Sequence, residues 1–260
     1  MNTKNNKGFS LIELMIAVAL GTLVVMAVVT LFITNQRTYN LQKNTRIIQQ
    51  QGVFVLEHMV QDIRKAGYRH ISAVNDVGII ANEVNSISGS KDDVGENKSD
   101  RLTVAFDVVV EGASDRNNHT APRDCEGKKI TSTTKVVQTY WLNEEELRCK
   151  SSYSSSENGL LLLEGVENFQ VLYGIDAIKD GLATVSHYVT ADKLTADNVG
   201  AVVAIRIGYI VANNSGDGMT STEQTFYLLD KDIKLGGSDK KVRRQFMRTI
   251  PLRNFDENKI

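Results

Sequence analysis

Few side chains in this sequence are placed to do chemistry, and the most conspicuous is a carboxylate. Glu13 stands at the head of an otherwise uninterrupted apolar span, and Leu14 to Ile33 adds twenty residues without a charge. A carboxylate beside hydrocarbon is costly and is normally kept for a function. The two cysteines, Cys125 and Cys149, lie far downstream. His58, His70, His119 and His187 are scattered, with no metal-ligand spacing. There is no Gly-x-Ser-x-Gly element, phosphate loop or paired-cysteine redox motif. The segment NNSGDGMTSTEQ puts Asn213, Ser215, Asp217 and Gly218 near calcium-loop positions. Its twelfth residue is Gln224, however, with Glu223 one place early, so it reads as a hairpin turn. No catalytic residue, metal site or cofactor is expected, and the chain does not read as an enzyme.

These residues need elements to position them. At 1.5 Å per residue the uncharged stretch spans roughly 30 Å, the thickness of a bilayer core. Lys4 and Lys7 precede it, which places the short N-terminus in the cytoplasm and the body across the membrane. Ala17 and Ala19 fit a signal-peptidase pattern, but the long apolar run after them does not, so the span is expected to be retained. In an oxidising compartment an even cysteine count favours a Cys125–Cys149 disulfide over two buried thiols. Closing that loop is worth about 3 kcal/mol in the chain-entropy model. A formal net charge of −1 offers no basic excess for nucleic acid. The cluster Lys240, Lys241, Arg243 and Arg244 reads as a solvated face in preference to a DNA or acidic-lipid site.

Beyond the span, Ile48, Gly52, Val55, Leu56, Met59, Ile63 and Ala66 recur at helical steps, and Gly67 is a plausible stop. One helix of about 55 to 60 residues is predicted, apolar all round in its first half and laid on a globular head by one stripe in its second. In the head, residues 71–100 read as a long loop. Leu102, Val104, Phe106, Val108 and Val110 alternate as a half-buried strand, and 111–129 read as a loop. KVVQTYWL and LRCK flank Asn143–Glu146 as a hairpin, with Tyr140 and Trp141 in or near the core. Leu160–Asp176 and Ala201–Asn213 are strand-like, TADKLTADNVG is a short helical or looped insertion, and RRQFMRTIPLRN is a strand ending near Pro251. The class is α+β.

Lys7-Gly8-Phe9-Ser10-Leu11-Ile12-Glu13-Leu14 resembles the class III leader of type IV pilins and type II secretion pseudopilins. The resemblance implies cleavage by a prepilin peptidase after Gly8, N-methylation of Phe9, and a role for Glu13 in registering subunits against a neighbour's new amine. It implies the pilin fold, a long N-terminal helix packed on an antiparallel sheet. It also implies the partition 1–8 leader, 9–34 membrane and filament-core helix, 35–68 amphipathic continuation, and 69–260 periplasmic head. The segments Met59–Tyr68, Gly165–Gly174 and Leu252-Arg253-Asn254 resemble PilW-type minor pilins. That family often carries a cysteine after the Ala-Gly-Tyr segment, where this chain has His70 and Ile71, so no cysteine pair is carried over. The resemblance implies a minor pilin that primes a type IV pilus and sits near its tip, in twitching motility and adhesion. Its expected partners are the prepilin peptidase, other minor pilins, the major pilin and a tip adhesin, with no nucleic acid. It would be a single-pass inner-membrane protein before it enters an extracellular pilus. A minor pseudopilin of a type II secretion system shares these features, and a DNA-uptake pilus component is the further alternative.

Overall fold

The computed structural model describes residues 8–68, 99–108, 122–132, 134–178, 180–195, 197–214, 222–237 and 239–253. One helix, α1 (Leu11–Ile63), runs 53 residues, about 80 Å at the standard rise. Its first half touches nothing, and the large apolar side chains from Leu11 to Ile33 are all exposed. Its second half buries Ile48, Gly52, Val55, Leu56, Met59, Val60, Asp62 and Ile63, the stripe that three- and four-residue spacing predicts. The helix ends earlier than Gly67. Lys65 and Ala66 donate to the carbonyls three residues back, at 3.0 Å each, tightening the chain into a turn. Gly67 then takes a left-handed φ of 79° and donates to the Ala105 carbonyl at 3.0 Å.

Ten strands follow. β1 (Leu102–Val108), β2 (Thr134–Asn143), β3 (Glu146–Ser151) and β4 (Leu160–Glu164) form an antiparallel sheet in the order β1-β2-β3-β4. β5 (Val166–Ile175), β6 (His187–Val189), β7 (Val202–Asn214) and β10 (Lys241–Pro251) form a second in the order β10-β7-β5-β6. β8 (Gln224–Leu228) and β9 (Lys231–Leu235) make a separate hairpin. The TADKLTADNVG segment folds into two single-turn 3₁₀ pieces, as expected. β6 and the β8–β9 hairpin were not anticipated, because each is short and mixes polar with apolar residues. Most of the predicted loops at 71–100 and 111–129, Val110, and the middle of the predicted 213–224 turn lie outside the described residues.

Two expectations are corrected. Leu160–Asp176 is not one strand but two, in different sheets. The break is Gly165, at φ 73°, where an added Cβ would overlap the Ala212 carbonyl oxygen. Gly165 accepts from Ala212 N–H at 2.7 Å, and Val166 N–H donates to Glu145 O at 2.8 Å. Only glycine tolerates that combination of backbone angle and close approach. β1 is not half-buried either: all seven of its residues are buried. The edge opposite β2 is covered by the turn that follows α1, through Gly67 N–H to Ala105 O and Asp107 N–H to Tyr68 O.

The second sheet carries the helix. Strand alternation sends Tyr209 of β7 and Phe246 of β10 to the α1 side. Gly208 and Met247 face the other way, where the missing Gly208 side chain admits Leu228 and Leu229. The β8–β9 hairpin therefore covers the face that the helix does not.

Candidate functional site: the assembly helix and its seat

The structure gathers Gly8, Phe9 and Glu13 at one end of α1, far along the chain from Cys125 and Cys149. Gly8 and Phe9 precede the first helical turn. Phe9 is 92% exposed, and beyond its chain neighbours no described residue comes within 4 Å of where a Gly8 Cβ would be. Both sides of that peptide bond are open. Ser10 caps the helix: its Oγ accepts from Glu13 N–H at 3.3 Å, and its own N–H donates to Glu13 Oε2 at 2.9 Å. Each side chain thereby satisfies a backbone donor that the first turn would leave without a partner. Ser10 is a functional residue that the sequence reading missed, although Ser-x-x-Glu before an apolar run is a recognised sign. A carboxylate has acceptor sites for several donors, so the capping bond leaves Glu13 able to receive a cation as well.

The other half of α1 is fixed to the head at two levels. At the lower one, Tyr209 Oη donates to the Gly52 carbonyl at 2.6 Å. Its ring stacks with Phe246 at a centroid separation of 5.5 Å. Gly52 is required here because a side chain would occupy the place of the Phe246 ring. At the upper level, the buried Tyr140 Oη donates to Asp62 Oδ2 at 2.9 Å, and Lys65 Nζ pairs with Asp62 Oδ1 at 2.6 Å. Burial first, and the Asp62 charge second, push the Tyr140 hydroxyl well above its ordinary pKa. Tyr140 lies opposite Cys149 in the β2–β3 ladder. The structure joins Cys125 to Cys149, which ties the 122–132 loop to the strand beside this anchor. Trp141, the neighbour of Tyr140, is half-buried.

The basic cluster needs a correction for two of its four members: Lys240 and Arg244 are exposed, as a solvated face requires, but Lys241 and Arg243 are paired internally. The Arg243 side chain is only 4% exposed and pairs with Glu167 at 2.6 Å and with Asp239. Lys241 pairs with Glu145 at 2.6 Å and with Glu167 at 3.5 Å. The hydrogen bond to Arg243 holds the Asp239 carboxyl below the usual range. The same bond, opposed by burial and reinforced by Glu167, raises Arg243 further. The network links β10 to the start of β5 and to the β2–β3 turn. It uses the charges of Lys241 and Arg243 internally and halves the basic cluster that faces solvent. Asp239 is a near neighbour in the chain, but strand pairing brought Glu145 and Glu167 to the cluster, and nothing local in the sequence marked those two.

Among the described residues no three His, Cys, Asp or Glu side chains stand close enough to hold a metal. His70 and His119 lie outside those residues. The described residues display a long apolar rod tipped by one carboxylate and seated on a two-sheet head.

Comparison with known proteins follows the same lines. The sequence model of the family described as type IV pilus-assembly protein W matches residues 107–254. That of the prokaryotic N-terminal methylation motif matches residues 3–32. Among solved structures the chain is similar to a type IV-like pilin from Thermus thermophilus, at 13% identity and a TM-score of 0.48. That similarity covers 80% of this chain and 96% of the other. No curated protein matches the chain.

Proposed function

Because the chain belongs to the type IV pilus-assembly protein W family, matched over 107–254 with the methylation motif at 3–32, we propose that it is the minor pilin that primes a type IV pilus and stays near its tip. In this reading residues 1–8 are the leader, 9–34 the membrane and filament-core helix, 35–68 its continuation and 69–260 the periplasmic head. A prepilin peptidase cuts after Gly8, and the new N-terminus at Phe9 is methylated. The protein waits in the inner membrane with its N-terminus cytoplasmic, and then assembles with other minor pilins, the major pilin and a tip adhesin.

One observation carries the proposal: the apolar rod from Leu11 to Ile33 is exposed on every side and bears a single carboxylate at its head. Such a surface is stable only in a bilayer or among similar helices. Cleavage after Gly8 places a cationic amine on Phe9, four residues from Glu13. When a neighbouring helix slides alongside, its amine meets this carboxylate in a medium where opposite charges attract several times more strongly than in water. An offset that leaves either charge alone among packed apolar side chains is expensive. The pairing thus selects one axial register, and Glu13 exchanges or shares its Ser10 bond to make it.

The test is Glu13→Val in cells that make pili, with mass spectrometry of the mature N-terminus. Processing at Gly8 is expected to continue while incorporation into pili and piliation fall. Normal piliation by Glu13→Val would sink the registration mechanism, and retention of residues 1–8 would sink the pilin processing itself.

A further inference from the structure

Among the described residues β10 is the longest edge strand, and its outer side has no backbone partner there. It pairs with β7 from Lys241 to Pro251 without a register shift. Leu252 N–H donates to Val203 O at 2.9 Å, which sets the alternation: even-numbered residues of β10 bond to β7. The N–H and C=O groups of Arg243, Gln245, Met247 and Thr249 therefore point outward. Proteins blunt long edges with charged side chains, proline, bulges, short strands, or a covering helix or loop. β10 has no bulge, and its one proline, Pro251, is the last residue. Helix and hairpin pack on its two faces, and among the described residues nothing pairs with this edge.

The edge also carries a sign. β10 holds Lys241, Arg243, Arg244 and Arg248 and no acidic residue. Lys241 and Arg243 are engaged by the molecule's own acids. Arg244 and Arg248 are exposed, and the Arg248 contact to Glu57 is long, at 3.9 Å between two half-exposed groups. Both point to the helix side and flank Phe246. A second copy of this chain is a poor fit. The full-length antiparallel pairing of two β10 strands centres on Phe246 and sets Arg244 opposite Arg248 twice, and like charges directly opposite are destabilising. Shifted registers lose bonds and keep the same four cations on each strand.

We propose that β10 is a docking edge completed by an acidic extended strand from the head of a different pilin. The inference rests on the pilin reading and deepens it: the backbone supplies adhesion, while Arg244 and Arg248 reject self and select a partner of opposite charge.

The experiment uses the full-length protein in pilus-assembling cells, with a benzophenone amino acid at Gln245 or Thr249 on the edge and, separately, at Leu14 in the rod. Adducts from Gln245 and Thr249 are expected on an acidic segment of another pilin. Met247→Pro removes an outward N–H but no backbone bond to β7, at the cost of the Met247 side chain beside Gly208, and is expected to abolish them while leaving the β7 ladder and the Cys125–Cys149 bond in place. Arg248→Glu, which carries little folding risk, is expected to lose that adduct and to gain one with a second copy, since Arg244 then faces the introduced carboxylate. Three results overturn the inference: an adduct between two copies of the unmodified chain, no edge adduct while Leu14 still links to pilins, or an edge adduct indifferent to both variants. Absence of adducts from Leu14 as well overturns the assembly reading along with it.

Discussion

The two halves of α1 share one backbone and opposite surroundings. From Leu11 to Ile33 the surface is apolar and exposed almost all round, whereas from Ile48 to Ile63 one face is buried and the rest is mostly polar, with Val53 and Phe54 exposed. The contrast shows that helix continuity and helix environment are set separately. Backbone hydrogen bonds carry the rod through both halves, and only side-chain pattern decides which solvent each half requires.

The largest expected effect separates two methionines. Met59 is fully buried and Met15 is 62% exposed. Met59→Ala is expected to destabilise the head by about 3 kcal/mol through lost burial and a cavity. Met15→Ala should leave unfolding of the detergent-solubilised protein unchanged and act only on insertion or assembly. Urea unfolding of the two variants measures the difference, and equal shifts would erase the distinction.

The glycines sharpen the same division. Gly21 has open space around it, whereas a Cβ on Gly52 meets the Phe246 ring. Gly21→Ala should strengthen the rod by about 1 kcal/mol of helix propensity, read as slower amide exchange in micelles. Gly52→Ala should destabilise the protein by about 1–2 kcal/mol despite that gain, because the ring must leave its stack on Tyr209. Combining it with Phe246→Leu should cost less than the sum of the two single changes.

The smallest effect concerns pH. Burial, chiefly, holds the hydroxyls of Tyr140, Tyr173 and Tyr209 above their ordinary pKa. A raised folded-state value means that the stability is complete below the unfolded value and is lost as pH climbs through it. The head should therefore weaken above about pH 10. Tyr140→Phe should flatten that decline and cost about 1 kcal/mol at neutral pH for the lost bond to Asp62. Melting curves between neutral pH and pH 11 test both. The rod should keep its helical signal throughout.

Much of this was legible in the chain. The rod, its stripe, the β2–β3 hairpin and the β7 and β10 strands all announce themselves through periodicity or turn residues within a dozen positions. Gly165 was harder, since a glycine between two apolar runs looks the same whether a strand bends or changes sheets. Arg243 was misread because its partner Glu167 is 76 positions away, and charge clustering along a chain says nothing about what lies opposite in space. The capping box at Ser10 was readable and was overlooked.

What the amino-acid order determined by itself was local: a long helix, apolar around its first half and striped in its second, with one acid at the boundary. Backbone propensity and side-chain spacing act over a turn or two and need no distant partner. What only the tertiary structure decided was which charges are consumed and which edge is left open. Those outcomes depend on strand order and register, and so on contacts between residues that sequence distance does not relate.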